Sequence, residues 1–220
     1  MNKFKRLAKN NLDIKKFFLI PFAFLILFSG CTKKNDSNDQ SAYQKINNML
    51  VNLKSYKCNA TVKYISNKNT NTYETIQHCK SDGSYRVEIT APENSAGNIT
   101  LSDGKTIYQY NSKINGRVSV GYKESMERSE LFLSSFIKNY SKSLETSVSV
   151  ANMDKSKCTV LEAQIPGEHP YLSSEKLFID NETQKPVELI IYDKDNSERI
   201  VVTFTNFEYN IELEDSLFKI

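Results

Sequence analysis

Histidine, cysteine and carboxylate side chains carry most catalytic and metal chemistry, and this 220-residue chain is sparing with the first two. It has two histidines, His78 and His169, and four cysteines, Cys31, Cys58, Cys79 and Cys158. The histidines form no His-x-x-x-His pair, which would place two ligands on one helix face. His169 sits in a turn between Pro166 and Pro170. The cysteines lack the Cys-x-x-Cys spacing of zinc and redox sites. No glycine-rich phosphate loop and no nucleophile elbow is present. Asp and Glu are spread along the chain as on solvated faces. The sequence therefore assigns no catalytic residue, no metal ligands and no cofactor, and it reads as a non-enzyme.

Cys31 is the exception. Residues 1–30 begin with a basic stretch (Lys3, Lys5, Arg6, Lys9, Lys15, Lys16) and continue with an apolar run from Phe17 to Phe28, broken only by Pro21. Twelve helical residues span about 18 Å, too short for a hydrocarbon core of about 30 Å. The run fits the apolar region of a secretory signal. Ser29 and Gly30 then precede Cys31, an arrangement that resembles the bacterial lipobox, with Phe28 where leucine is preferred. The resemblance implies cleavage before Cys31, diacylation of its thiol and a chain held outside the cytoplasm. Thr32 to Gln40 is wholly polar and reads as a flexible tether with a reach of roughly 15–18 Å.

The charge balance supports that division. Net charge is +3 overall, but residues 1–30 hold six Lys/Arg and one Asp, so the remainder carries 23 basic and 25 acidic residues and is net −2. The basicity belongs to the leader, which excludes a nucleic-acid footprint. With 39% apolar and 25% charged residues, the chain is neither a polytopic membrane protein nor wholly disordered.

Downstream, Ser41-Ala42-Tyr43-Gln44 has the form of a capping box, and Tyr43, Ile46, Met49, Leu50 and Leu53 recur at helical spacing, predicting a helix over 41–54. From Tyr56 the period becomes two: Tyr56, Cys58, Ala60, Val62 and Tyr64 alternate with polar residues as in a half-buried strand. Tyr73 to Ser81 is a second strand. Asp82-Gly83, Asp103-Gly104 and Asn115-Gly116 mark tight turns that want positive φ at both central residues. They separate strands near 84–91, 97–102, 105–111 and 117–122. Ser129 is placed to cap a helix through about Ser143 that carries Leu131, Phe132, Leu133, Phe136, Ile137 and Tyr140. Strands resume at 148–150, 158–165, 175–180, 187–192 and 199–207. About ten antiparallel strands and two helices, with no internal repeat, give a mainly β, α+β domain over 41–220.

The first hairpin makes a finer expectation. A turn centred between Lys68 and Asn69 would oppose Cys58 to Cys79, Lys63 to Glu74 and Tyr64 to Tyr73. Outside the cytoplasm Cys58 and Cys79 are then a candidate disulfide. The aromatic residues Phe132, Phe136, Phe178 and Phe204, with Tyr192 and Phe207, either fill the core or line a ligand cavity. Arg86 reads as an ion-pair partner.

An ordered series of short motifs carries a family resemblance. Tyr85-Arg86-Val87-Glu88, Pro92, Gly97, Asp103-Gly104-Lys105 and Tyr108-Gln109-Tyr110-Asn111 are followed by Glu175-Lys176-Leu177-Phe178-Ile179-Asp180, Lys185-Pro186-Val187, Phe207-Glu208-Tyr209-Asn210 and Leu217-Phe218. Together they resemble the LolA-like lipoproteins, and within them the clostridial germination lipoproteins of the GerS type. The resemblance implies a curved antiparallel half-barrel with helices on its concave side. It also implies an extracytoplasmic lipoprotein of the cell or forespore membrane. Its partner would be a CwlD-type N-acetylmuramoyl-L-alanine amidase of the spore cortex. A lipid- or lipoprotein-binding carrier, acceptor or sensor that uses the concave cavity is the competing function.

Overall fold

A computed structural model describes residues 37–121, 131–153, 156–167 and 169–219; Cys31 and Ser129 lie outside them. Helix α1 spans Ser37–Val51 and is followed by β1 (Ser55–Ile65), β2 (Thr70–Lys80), β3 (Ser84–Ala91), β4 (Ile99–Asp103), β5 (Thr106–Asn111) and β6 (Gly116–Gly121). Helix α2 (Leu133–Lys142) separates these from β7 (Thr146–Met153), β8 (Ser156–Gln164), β9 (Ser174–Asp180), β10 (Pro186–Tyr192) and β11 (Glu198–Tyr209). A short 3-10 turn, Asp215–Phe218, ends the described chain.

All eleven strands form one antiparallel sheet in the order β6-β5-β4-β3-β2-β1-β11-β10-β9-β8-β7. Two meanders, β1–β6 and β7–β11, meet where β1 pairs with β11. The sheet is open, with β6 and β7 as its edges. These two are consecutive strands, with α2 between them in the chain, yet lie at opposite edges. The chain must recross the sheet between them, and α2 lies in that crossing. Its buried Leu133 and Phe136 belong to one apolar cluster with Tyr56, Val62, Leu161, Leu177, Ile191, Val202 and Phe204 of the sheet and Ile46 and Leu50 of α1. One apolar cluster thus joins both helices to one sheet face, and each large aliphatic or aromatic side chain it fully buries contributes roughly 1.5–3 kcal/mol.

The period-two reading of β1 holds, with Tyr56, Cys58, Ala60 and Val62 all buried. The register of the hairpin does not. Ile65 closes on Thr70 around the turn Ser66–Asn69, where Ser66 Oγ accepts the backbone N–H groups of Lys68 and Asn69. This side-chain-stabilised turn is centred one residue earlier than expected, which slides every pair by two. Cys79 therefore opposes Tyr56, and Cys58 opposes Gln77. Both thiols are free. A shift of two preserves the face, so burial follows the prediction although the partners change.

The Asp-Gly turns also differ in detail. φ is positive at Gly83 and Gly104 but not at Asp82 or Asp103. The two carboxylates instead accept backbone N–H groups, Asp82 from Ser84 and Asp103 from Lys105 and Thr106. In the third turn Asn115 takes the positive φ and Gly116 does not. Helix α1 begins at Ser37, four residues before the predicted cap, so 37–40 are helical. Asp39 in its first turn suits the positive end of the helix dipole and pairs with Lys157 of β8 at 2.6 Å.

Candidate functional site

The helices leave part of the sheet uncovered. There the strands of the first meander surround a cavity of about 890 Å³. Tyr64, Tyr73, Tyr85, Val87 and Tyr110 line it from β1, β2, β3 and β5, and Phe132 closes it where α2 begins. The Tyr85 and Phe132 rings pack at 4.6 Å between centroids. Thr75, Asn98 and Gln109 add hydroxyl and amide groups, and Arg117 is the one charged residue among the lining residues described. Walls of this kind suit a largely apolar or amphiphilic ligand.

Of the four phenylalanines singled out from the sequence, only Phe132 reaches this cavity. Phe136 and Phe204 are 0% and 5% exposed and belong to the filled core. Phe178 pairs with Val160 and Glu188 and is half-buried on the opposite face of the sheet from its neighbours Leu177 and Ile179. The cavity tyrosines went unrecognised. Their signal lay in strand alternation: Tyr64 and Tyr73 fall on the same face as Val62, and their rings meet edge to face at 6.1 Å.

Polar groups under α2 fix that helix. The Tyr56 hydroxyl accepts the Leu133 backbone N–H at 3.3 Å and satisfies a donor at the helix N-terminus. Burial raises the Tyr56 phenol and the Cys58 thiol and pushes the Cys79 thiol up to about 12. These thiols stay protonated at neutral pH and are poor nucleophiles. Toward the other end, Asn139 Nδ2 donates to Glu175 Oε1 at 2.8 Å, and burial pushes the Glu175 carboxyl up to about 7. On the opposite face His78 lies between Lys57 and Arg86. Burial first, then those two cations, lower its tendency to protonate. Arg86 pairs with Glu88 at 3.1 Å, the ion-pair role read from the sequence. Among the described residues no group of three metal-ligating side chains converges, and no helix is long and apolar enough to cross a membrane.

Several solved structures are similar to this chain. An uncharacterised conserved protein from Thermus thermophilus is 12% identical, with a TM-score of 0.53 over 81% of this chain and 93% of that one. The complex of the CwlD amidase with the GerS lipoprotein from Clostridioides difficile contains a chain 27% identical, with a TM-score of 0.48 over 81% of this chain and 99% of that one. A LolA superfamily protein from Nitrosomonas europaea is 14% identical, with a TM-score of 0.42 over 82% and 97%. No curated protein matches the chain. Its sequence matches the family model for YdcC-like sporulation proteins over residues 13–218, nearly its whole length, and the chain belongs to that family.

Proposed function

We propose that this protein is a non-catalytic, membrane-anchored sporulation lipoprotein that binds and supports a CwlD-type N-acetylmuramoyl-L-alanine amidase during cortex modification. Membership of a sporulation family across residues 13–218 is the observation that carries the reading. The amidase as partner is what the resemblance to germination lipoproteins of the GerS type implies. Diacylation of Cys31 supplies the anchor, and the domain follows on the extracytoplasmic side. Cys31 and Ser37, the first described residue of α1, are six residues apart in the sequence, a step that spans at most about 21 Å. The partner is therefore met close to the membrane.

Affinity capture of the lipidated protein from sporulating cells tests the reading. The amidase should co-purify, and a deletion strain should form spores whose cortex lacks the amidase-dependent muramic-δ-lactam. Normal cortex chemistry in that strain would refute it. In the Cys31→Ala variant, acylation should be lost and uncleaved precursor should accumulate.

The cavity favours a second reading, a lipid- or lipoprotein-binding acceptor or sensor. Its volume and mostly uncharged walls accommodate an acyl chain. Mass spectrometry of lipid extracted from the purified protein would separate the two, since a partner-binding scaffold carries no stoichiometric lipid.

A further inference from the structure

The least expected group in the core is a carboxyl. Glu175 of β9 is 1% exposed on the face that α2 covers. The strands on either side place Ala163 and Ile191 directly beside it, and both are fully buried. From α2, the Asn139 amide reaches Oε1, whereas Oε2 has no hydrogen-bond partner. Of the titratable groups on α2, Lys138 and Lys142 are on its exposed side, and Tyr140 is bonded to Tyr43 of α1. Burial is the larger influence on Glu175 and raises it, and the Asn139 amide acts the other way.

A carboxylic acid can occupy such a site; a carboxylate can do so only at a large desolvation cost. Asn139 also lies in the second half of α2, where the helix carbonyls make the potential negative and disfavour an anion. We infer that Glu175 is a proton-dependent latch for α2: the protonated side chain lets the helix lie on the sheet, and loss of the proton weakens that docking. The helix concerned is the one whose two preceding residues, Leu131 and Phe132, form a wall of the cavity. The latch does not depend on which partner or ligand the protein binds, so its failure would leave the amidase reading untouched.

The carboxyl titrates near 7 when α2 is docked, against an ordinary value of 4.5 when water reaches it. Linkage then makes the docked-to-released equilibrium about tenfold less favourable at pH 8 than at pH 6. Hydrogen–deuterium exchange of the 133–142 segment, corrected for intrinsic base catalysis, reads this equilibrium directly. Protection in the unaltered protein should fall about tenfold between pH 6 and pH 8, and in Glu175→Gln it should not change. Equal protection at both pH values in the unaltered protein, or an undiminished fall in Glu175→Gln, would overturn the inference. Should that variant not fold, carbon-detected NMR of the unaltered protein decides. A Glu175 carboxyl resonance that moves between pH 6 and pH 8 supports the latch, and one that has finished titrating below pH 5.5 overturns it.

Discussion

The two meanders of the sheet share one face but treat it differently. On β8, β9 and β10 the inward positions are Leu161, Leu177, Ile179, Leu189 and Ile191, all fully buried beneath the helices. On β4, β5 and β6 the corresponding positions include Thr100, Gln109 and Val118, which face the cavity, and Val118 is 62% exposed. The strand geometry is the same in both. What differs is the second layer: where α1 and α2 supply apolar side chains the face becomes a core, and where they stop it becomes a container. The division is written in composition, since the second meander reads as aliphatic runs and the outer strands of the first as Thr, Ser, Gln and Tyr.

Truncation in the filled region gives the largest contrast. Phe136→Ala removes a fully buried ring and should cost about 3–5 kcal/mol in denaturant unfolding, whereas Val118→Ala should stay within about 0.5 kcal/mol. Comparable losses at the two sites would mean that the outer strands are as tightly packed as the inner ones. The next effect is electrostatic. The Glu175 carboxyl is raised in the folded protein, so its contribution is fully present below about pH 4.5 and is lost as pH rises through about 7. The shift corresponds to roughly 3 kcal/mol of stability lost above that range. Urea midpoints measured from pH 5 to pH 8 should fall more steeply for the unaltered protein than for Glu175→Gln. Parallel curves would show that the filled core tolerates the charge. A smaller loss, about 1–2 kcal/mol, is expected for Tyr56→Phe, which leaves the buried Leu133 N–H without its acceptor. Thermal unfolding at neutral pH measures it.

These elements were not equally visible in the sequence. Period-two burial in β1 was plain in the sequence, because a strand with one covered face must alternate. The hairpin partners were not, because register depended on Ser66 capping its turn through the side chain, which periodicity does not report. That slip of two is what separates an expected Cys58–Cys79 pair from the observed Tyr56–Cys79 and Cys58–Gln77 pairs. Aromatic residues were read as one class, although Phe136 fills and Phe132 lines. The distinction rests on where α2 begins relative to β3, a tertiary relation seen in the Tyr85–Phe132 ring contact. Glu175 carried no warning at all: within Ser174-Glu175-Lys176-Leu177 it looks like a solvated strand residue, and only the helix laid over it makes it an interior acid.

The most discriminating comparison adds volume instead of removing it. Packed interiors answer extra methylenes with strain, typically 1–3 kcal/mol, since neighbouring side chains have nowhere to move. Val202 of β11 is fully enclosed between Val62 and Leu189 on the neighbouring strands, and Val202→Phe should destabilise by that amount. Val87 of β3 is half-buried and borders the cavity, so the additional ring in Val87→Phe can extend into open space. Its stability should change by less than about 1 kcal/mol, because the ring buries apolar surface on the cavity wall and offsets any strain. Paired unfolding measurements on the two variants read the packing of the two regions directly. A cost at Val87 equal to that at Val202 would mean that the space between β3 and the start of α2 is closed in solution, and the container would have to be assigned elsewhere. A neutral Val87→Phe that also weakens binding of 1-anilinonaphthalene-8-sulfonate would place the probe, and with it the ligand-accessible surface, against β3.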